Sequence, residues 1–445
     1  MSDDPDKPES GVKTAKPLKI KAEDNPWYLL ATLYGVPRRG DDEVQAKNRV
    51  AWNRYFAAKL EEETRTKLIE EKRHSAEELT PFSPEQLEDV RRTFAKRCKA
   101  SGQILALPAS DADIDFSYVD FEQGAVFGGY LVRNCFFLNA TFSGAAVFAR
   151  TTFSEAAHFD GAAFSSWASF GGAAFSGGAS VDGAAFSEGA LFDGAAFSSW
   201  WASFSFGGAV VSGWASFDGA TFSGKASFDG AAFSGGASFG GAAFDQESSF
   251  VNAEMKGETF FEDAVFKTEP PRFFGAKLHQ GTVWRGITWP PKPKNKDKAG
   301  TFIDAYACLK LEMDRLKKHE DELNFFALEL QSRRIEQGPV WGFPFAIYGV
   351  LSDYGRSYLR PLGALIVVAA IGAAAFWYFD ARTYGEALGL SAANTLNVFG
   401  FRRDFGLAID TPLAWLIVFS ALQTILGVIL LFLFGLGVRN KFRMK

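Results

Sequence analysis

From Phe137 onward the chain places an aromatic ring at Phe142, Phe148, Phe153, Phe159, Phe164, Phe170 and Phe175, in steps that alternate between five and six residues. Val181 takes the next slot, and Phe186, Phe192 and Phe197 follow. After a disturbance the ladder resumes at Val211 and runs through Phe217, Phe222, Phe228, Phe233, Phe239 and Phe244 to Phe250. The residues between are mostly Ala, Gly and Ser. A period of 11 built from a five and a six marks a stacked repeat. It does not mark a helix, because each unit carries several Gly and Ser, and Gly costs about 1 kcal/mol in a helix interior. Aromatic positions separated by turn residues predict very short strands and tight corners. The solution that fits is a mainly β fold, a parallel β-helix over residues 112–289. Phe points inward, a small Ala (Ala162, Ala173, Ala195) lies two residues before it, and Gly and Ser turn the corners. Two units make a coil of about 22 residues, and seven or eight coils at ~4.8 Å give a rod roughly 35 Å long. The six-residue steps predict bulges or enlarged corners on alternate faces. In "FSSWWASFSFGGAVV" (197–211) the spacing slips by about three residues. There Trp200, Trp201 and Phe206 are expected to protrude, as a tolerated insertion or as a partner-binding patch.

The flanks follow other patterns. Residues 1–24 are polar, charged and rich in Pro and Lys, the composition of a disordered tail. "NPWYLLATLYG" (25–35) is apolar but too short to span a bilayer. It is expected to dock on protein or, alternatively, on a membrane. The rest of 25–111 reads as a helical cap: a long charged helix from Asp42 to about Arg73, then a helix N-capped by Ser83 with Pro84 at its first position. A β-helix needs such a cover because its end coil is an open sheet edge. Residues 290–300 form a Pro/Lys linker. Residues 301–338 read as one amphipathic helix with a stripe of Leu309, Met313, Leu316, Leu323, Phe326 and Leu330, ending at Gly338. Its "HEDEL" lacks the second His of a metalloprotease helix, so His319 and its acidic neighbours read as a solvated face.

Residues 339–360 read as an interfacial segment with Trp341, Phe343, Phe345 and Tyr348 toward lipid. Two uncharged stretches follow, 361–379 and 412–438, each long enough for a ~30 Å hydrocarbon core. Together they predict an α-helical two-transmembrane hairpin over 361–438, with Trp377, Tyr378 and Trp415 at the outer interface. Arg356 and Arg360 precede the first span, and Arg439, Lys441, Arg443 and Lys445 lie in the basic tail, 439–445. The connecting loop, 380–411, holds three basic residues, Arg382, Arg402 and Arg403, against four acidic ones. Positive-inside bias therefore predicts both termini in the cytoplasm. The N-terminus has no signal-peptide pattern, which agrees. Ser420, Gln423 and Thr424, with Gly427, place polar and small residues mid-span, as needed for helix association or a polar path. Within it, 381–411 is a candidate re-entrant segment that brings Asn394, Thr395 and Asn397 toward the same region, with Arg402 and Arg403 as mouth charges.

The Ala-x-Phe unit stepping by about five residues resembles the pentapeptide-repeat family in its Phe-centred variant. The resemblance covers about 40% of the chain, and it implies a right-handed, four-sided β-helix. "NPWYLLATLYG", "SDYGRS" and the ending "FLFGLGVRNKFRMK" are similar to segments of bacterial membrane-bound pentapeptide-repeat proteins, which implies the inner membrane of a bacterium. Two spans with a re-entrant loop resemble the two-transmembrane tetrameric cation channels. The loop lacks their T-x-G-Y-G run, however, and "NTLNVFGF" is a degenerate echo at most. Some pentapeptide-repeat proteins imitate DNA, which requires a strongly acidic rod. Here the acids of the ladder are scattered.

Composition narrows the function classes. Charge is nearly balanced, 47 basic against 52 acidic residues, so no nucleic-acid partner is expected. Three scattered Cys and four His form no metal or redox spacing. There is no nucleophile–base pair, phosphate loop or metal cluster, so no catalytic residue, cofactor or metal is expected and the chain does not read as an enzyme. Two readings remain open: an oligomeric membrane channel with a cytoplasmic β-helix, and a membrane-anchored scaffold whose β-helix binds a cytoplasmic protein.

Overall fold

Two residues per strand are enough here, because the interior of each coil is filled by one ring from each of its four sides. The computed structural model describes residues 19–37, 40–380, 383–396 and 414–443. It divides into two compact units, residues 1–268 with 275–288, and residues 269–274 with 289–445.

In the first unit, short parallel strands form four sheets, one of eight strands and three of seven. Register is the coil length. Ala163 pairs with Ala185, and Ala232 with Glu254, 22 residues on in each case. Rings of successive coils stack face to face: Phe164 on Phe186 at 4.6 Å and 1°, and Phe228 on Phe250 at 4.8 Å and 5°. Across the interior, rings from opposite sides meet edge to face, as Phe228 does with Phe217 at 5.2 Å and 86°. Ala162, Ala173 and Ala195 are fully buried beside them. The corners alternate as the spacing predicts. Five-residue steps turn through a left-handed residue, such as Gly161 (φ 67°) or Gly172 (φ 64°). Most six-residue steps use a longer bend without one, as after Phe164 and Phe175, with Gly124 and Gly236 as exceptions, and the strands pair without bulges. Outside, Asp side chains tie one coil to the next. Asp160, Asp182, Asp193, Asp218 and Asp229 accept from Ser180, Ser205, Ser216, Ser238 and Ser249 respectively.

The disturbance at 197–211 is a three-residue lengthening of one coil, since Ala185 pairs with Val210, 25 residues on. Trp200 and Trp201 are exposed at 74% and 73%. Phe206 does not protrude. It is fully buried, parallel to Phe186 at 5.8 Å and to Phe233 at 6.0 Å. The insertion is confined to the corner before it, so the inner row continues unbroken. Phe204 also turns inward at a slot that is Ala179 one coil before and Ala226 one coil after. Val181 and Val211, standing where other coils carry Phe, leave room for that extra ring.

The N-terminal helices cover the open end of the solenoid. They are α1 (Pro26–Ala31), α2 (Asp42–Ala57), α3 (Glu62–Glu70) and α4 (Pro84–Ala100). α1 is capped by Asn25, and α4 by a reciprocal Ser83–Gln86 box with Pro84 behind it. Trp27, Leu29 and Leu30 are buried, and Tyr28 packs on Phe121, so "NPWYLLATLYG" docks on protein. Three of the four strands of the first coil find a partner in this cap. Ile20–Lys21 adds a parallel strand beside Val119–Asp120, so the tail begins ordering before residue 24. The Trp52 indole donates to the Leu131 carbonyl at 2.8 Å, and the Leu131 N–H donates to the Asn53 side chain at 2.7 Å. Asn25 donates to the Asp115 carbonyl at 2.8 Å. The long charged helix expected from Asp42 to Arg73 is in fact two. A break after Ala57 turns α3 so that Leu68 is buried against the solenoid side, which one straight rod would not allow.

The second unit is helical: α5 (Lys296–Arg315), α6 (His319–Trp341), α7 (Phe343–Ser352), α8 (Leu359–Phe379), α9 (Tyr384–Thr395) and α10 (Ala414–Arg443). The linker after 290 is shorter than its composition suggests, because Asn295 caps α5. The amphipathic stretch is a hairpin of two helices. Lys317 takes a left-handed turn (φ 59°), and Lys310 on α5 meets the buried Glu329 on α6 at 2.6 Å. α6 kinks at Gly338, the residue that Pro339 forces out of helical geometry. Of the four aromatics expected at lipid, Trp341 and Phe343 are exposed. Phe345 and Tyr348 instead pack on Leu330 and Tyr354.

Two outcomes test this account. Phe228→Ala removes a ring stacked on Phe250 and set edge to face with Phe217, Phe222 and Phe239, and is expected to lower unfolding stability by about 3–5 kcal/mol in denaturant titration. The second concerns the cap. Burial by itself pushes the Glu78 carboxyl up, but the His74 ring, the Ser75 N–H and the Arg49 guanidinium at 2.8 Å outweigh it and bring it to about 2. A depressed carboxyl contributes stability that is complete above its ordinary value of 4.5 and is lost as pH falls toward 2. Acid unfolding followed by tryptophan fluorescence should show this loss, and Glu78→Gln should flatten it.

Candidate functional site

Among the described residues, α8 and α10 are long and apolar enough to cross a membrane. They run antiparallel: Phe376 and Leu416 share one buried cluster, and Tyr358 meets Phe434 near the other end. The short helix α9 packs against both. Thr383 and Glu386 start it with a reciprocal capping box. Ala387 and Leu390 join the cluster of Phe376 and Leu416, so α9 enters at the level where α8 ends and α10 begins. With 12 residues it is about 18 Å long. Its last turn stops beside the middle of both long helices.

Gln423 of α10 anchors that last turn. Its amide nitrogen donates to the Ser391 hydroxyl at 2.6 Å and the Thr395 hydroxyl at 3.1 Å, and lies 3.4 Å from the Val368 carbonyl of α8. Its oxygen accepts from Asn394 at 3.3 Å. The Ser391 hydroxyl in turn donates a hydrogen bond to the Ala369 carbonyl at 2.6 Å, so one polar knot joins three helices. Small residues make the approach possible. A Cβ on Gly427 would overlap the Thr395 carbonyl, and one on Gly372 would overlap Gln423 and Ser391. Thr424 spends its hydroxyl on the Ser420 carbonyl at 3.0 Å. The Ser420 hydroxyl and the Asn394 oxygen are buried without a partner among the described residues.

The structure thus brings Gln423, Gly427, Asn394 and Thr395 into direct contact, with Ser420 one turn away. Asn397, Arg402 and Arg403 lie outside the described residues. Ser391 and Gly372 were missed in the sequence. A single Ser in "GLSAAN" and one Gly in an Ala-rich span carry no signal until the helices are paired. The exposed Trp200 and Trp201 belong to the solenoid and have no link to this knot. Asp314, His319 and Glu322 bring ligand-type atoms within 4.8 Å of one another. The Arg443 guanidinium already supplies positive charge there, 3.8 Å from each carboxylate.

Comparison with known proteins bears on the solenoid. A family model described as pentapeptide repeats (9 copies) matches residues 206–254 and 217–265. The chain therefore carries a pentapeptide-repeat β-solenoid domain of about 7 turns, followed by a helical region. No curated protein and no solved structure matches the chain.

The knot predicts a stability effect. Gln423→Leu takes the acceptor from the Asn394 amide and a donor from the Ser391 and Thr395 hydroxyls, and Gly427→Leu displaces α9. Each is expected to lower the thermal midpoint in detergent, with a cost of about 1–3 kcal/mol for the first. Leu426→Ala, on the exposed side of α10, should leave it unchanged.

Proposed function

We propose that α8 and α10 cross a membrane and that several chains assemble into a pore, with the solenoid on the cytoplasmic side. The observation that carries this reading is the depth of α9. A helix of 12 residues cannot span a bilayer. Backbone that ends at mid-depth is tolerated only where protein covers it or water lines it. One chain covers a single side of α9. The opposite side, with Tyr384, Gly385, Leu388 and Gly389, is exposed. Neighbouring copies, or a water-filled path between them, would meet that need. The knot at Gln423 supports the same reading, because it satisfies within the chain a polar amide that hydrocarbon could not. Arg356 and Arg360 at the start of α8, with Arg439, Lys441 and Arg443 at the end of α10, favour a cytoplasmic side for both termini. The localisation that follows is a bacterial inner membrane. The reading contains no catalytic step.

A second reading rests on Trp200 and Trp201. Two adjacent exposed indoles on an otherwise regular rod suit a membrane-anchored scaffold that holds a cytoplasmic protein there.

Native mass spectrometry from nanodiscs, followed by conductance recording in planar bilayers, separates the two. A closed ring of chains with unitary currents is the expected result. A monomer without current would end the pore reading and leave the scaffold.

A further inference from the structure

On the side of the solenoid, the end of α3 stands off the sheet that carries Thr152, Ala174 and Ala196, and leaves an open groove with a volume of 950 Å³. Four cationic residues line it, Lys67, Lys72, Arg73 and Arg150, against one acid, Glu71. Glu71 is shared by Arg73 at 3.4 Å and Lys67 at 3.9 Å. Among the described residues, nothing pairs with the Lys72 ammonium or the Arg150 guanidinium. The floor adds hydroxyl groups from Ser154, Ser176 and Ser198, one from each of three successive coils.

The backbone marks these two cations as unusual. Arg150 occupies the left-handed corner slot (φ 57°) that is Gly at 129, 172, 194, 219, 241 and 286, and Asp at 263. Lys72 holds the left-handed position (φ 54°) that ends α3, where its N–H bonds Ile69 and the next N–H bonds Leu68. That place also favours Gly. A side chain is sterically disfavoured in this conformation. Both strained positions carry a cation, both line one groove, and neither cation has a partner.

We propose that this groove binds a soluble ligand bearing two or more phosphate groups. Its size is that of a small-molecule site, roughly 300–1,000 Å³. Guanidinium and ammonium groups converging on one space, with the Ser176 hydroxyl beside them, are a donor set for phosphate oxygens; the Ser154 and Ser198 hydroxyls donate to the Val132 and Phe175 carbonyls at 3.4 and 3.3 Å. The excess of positive charge in so small a volume calls for an equally dense anion, which an oligophosphate provides and a dicarboxylate does not. No aromatic side chain lines the groove for a base to stack on, so the phosphates themselves carry recognition.

The test uses the full chain in nanodiscs of neutral lipid, titrated with sodium triphosphate by calorimetry. Arg150→Gly and Lys72→Gly remove charge while installing the residue each backbone position favours, so both should fold at least as stably as the parent. Each is expected to weaken triphosphate binding by about tenfold or more. Lys225→Gln, a change at an exposed ion pair elsewhere on the rod, should not. Absence of triphosphate binding, or affinity unchanged in both Gly variants, would overturn the proposal. Tighter binding of an oligoglutamate peptide would overturn it in favour of an acidic protein segment. Loss of triphosphate binding in nanodiscs containing phosphatidic acid would overturn it in favour of a lipid headgroup.

Discussion

Ring-on-ring stacking along the solenoid axis governs most of what else this chain does. Successive Phe rings lie 4.6–5.0 Å apart and nearly parallel, which matches the spacing of hydrogen-bonded strands, about 4.8 Å. Backbone pairing and ring stacking therefore reinforce one repeat distance, and each parallel or edge-to-face pair adds about 0.5–1.5 kcal/mol beyond its buried area. The interior has no room for irregularity. When one coil gains three residues, they are pushed into a corner, and Phe206 keeps its inward place. When Phe204 intrudes, Val181 and Val211 stand where other coils carry rings. The exterior is free by comparison, and there the chain varies its charges and places its exposed indoles, Trp167, Trp200 and Trp201.

The same architecture creates a problem at its end. A stack of strands leaves four sheet edges at the first coil, and unpaired backbone groups there would pair with another chain. The cap meets three of them with unlike devices: a short parallel strand at Ile20–Lys21, the Trp52 and Asn53 side chains at Leu131, and Asn25 at Asp115. This dependence on side chains explains why the cap is held by a buried Arg49–Glu78–His74 group rather than by apolar contact alone. It also sets where α3 ends, and hence where Lys72 faces Arg150 across the groove.

In the helical unit the constraint is reversed. Apolar helices pack without directional preference, so position is set by the few polar and small residues they contain. Gln423 reaches Ser391, Thr395 and Val368 because Gly372 and Gly427 let three backbones approach. Taken singly, none of these residues is informative. Together they hold the last turn of a short helix against two long apolar ones.

Much of the solenoid was legible without coordinates. The period of 11, the inward Phe, the buried Ala, the 22-residue coil and the alternation of tight and wide corners are all one-dimensional regularities, and a parallel stack converts sequence period directly into register. The same holds for the two long apolar helices and for Ser83 as an N-cap, each a local property of a short stretch. What the tertiary structure decided were the questions of which surfaces meet. It broke the charged helix at Ala57 so that Leu68 could reach the solenoid, and folded 296–341 into a hairpin around Glu329. It turned Phe206 inward and Phe345 and Tyr348 onto a neighbouring helix, and gave Gln423 its partners. Burial of a ring or pairing of an amide depends on a second segment far along the chain, and a pattern read along one segment does not contain the other.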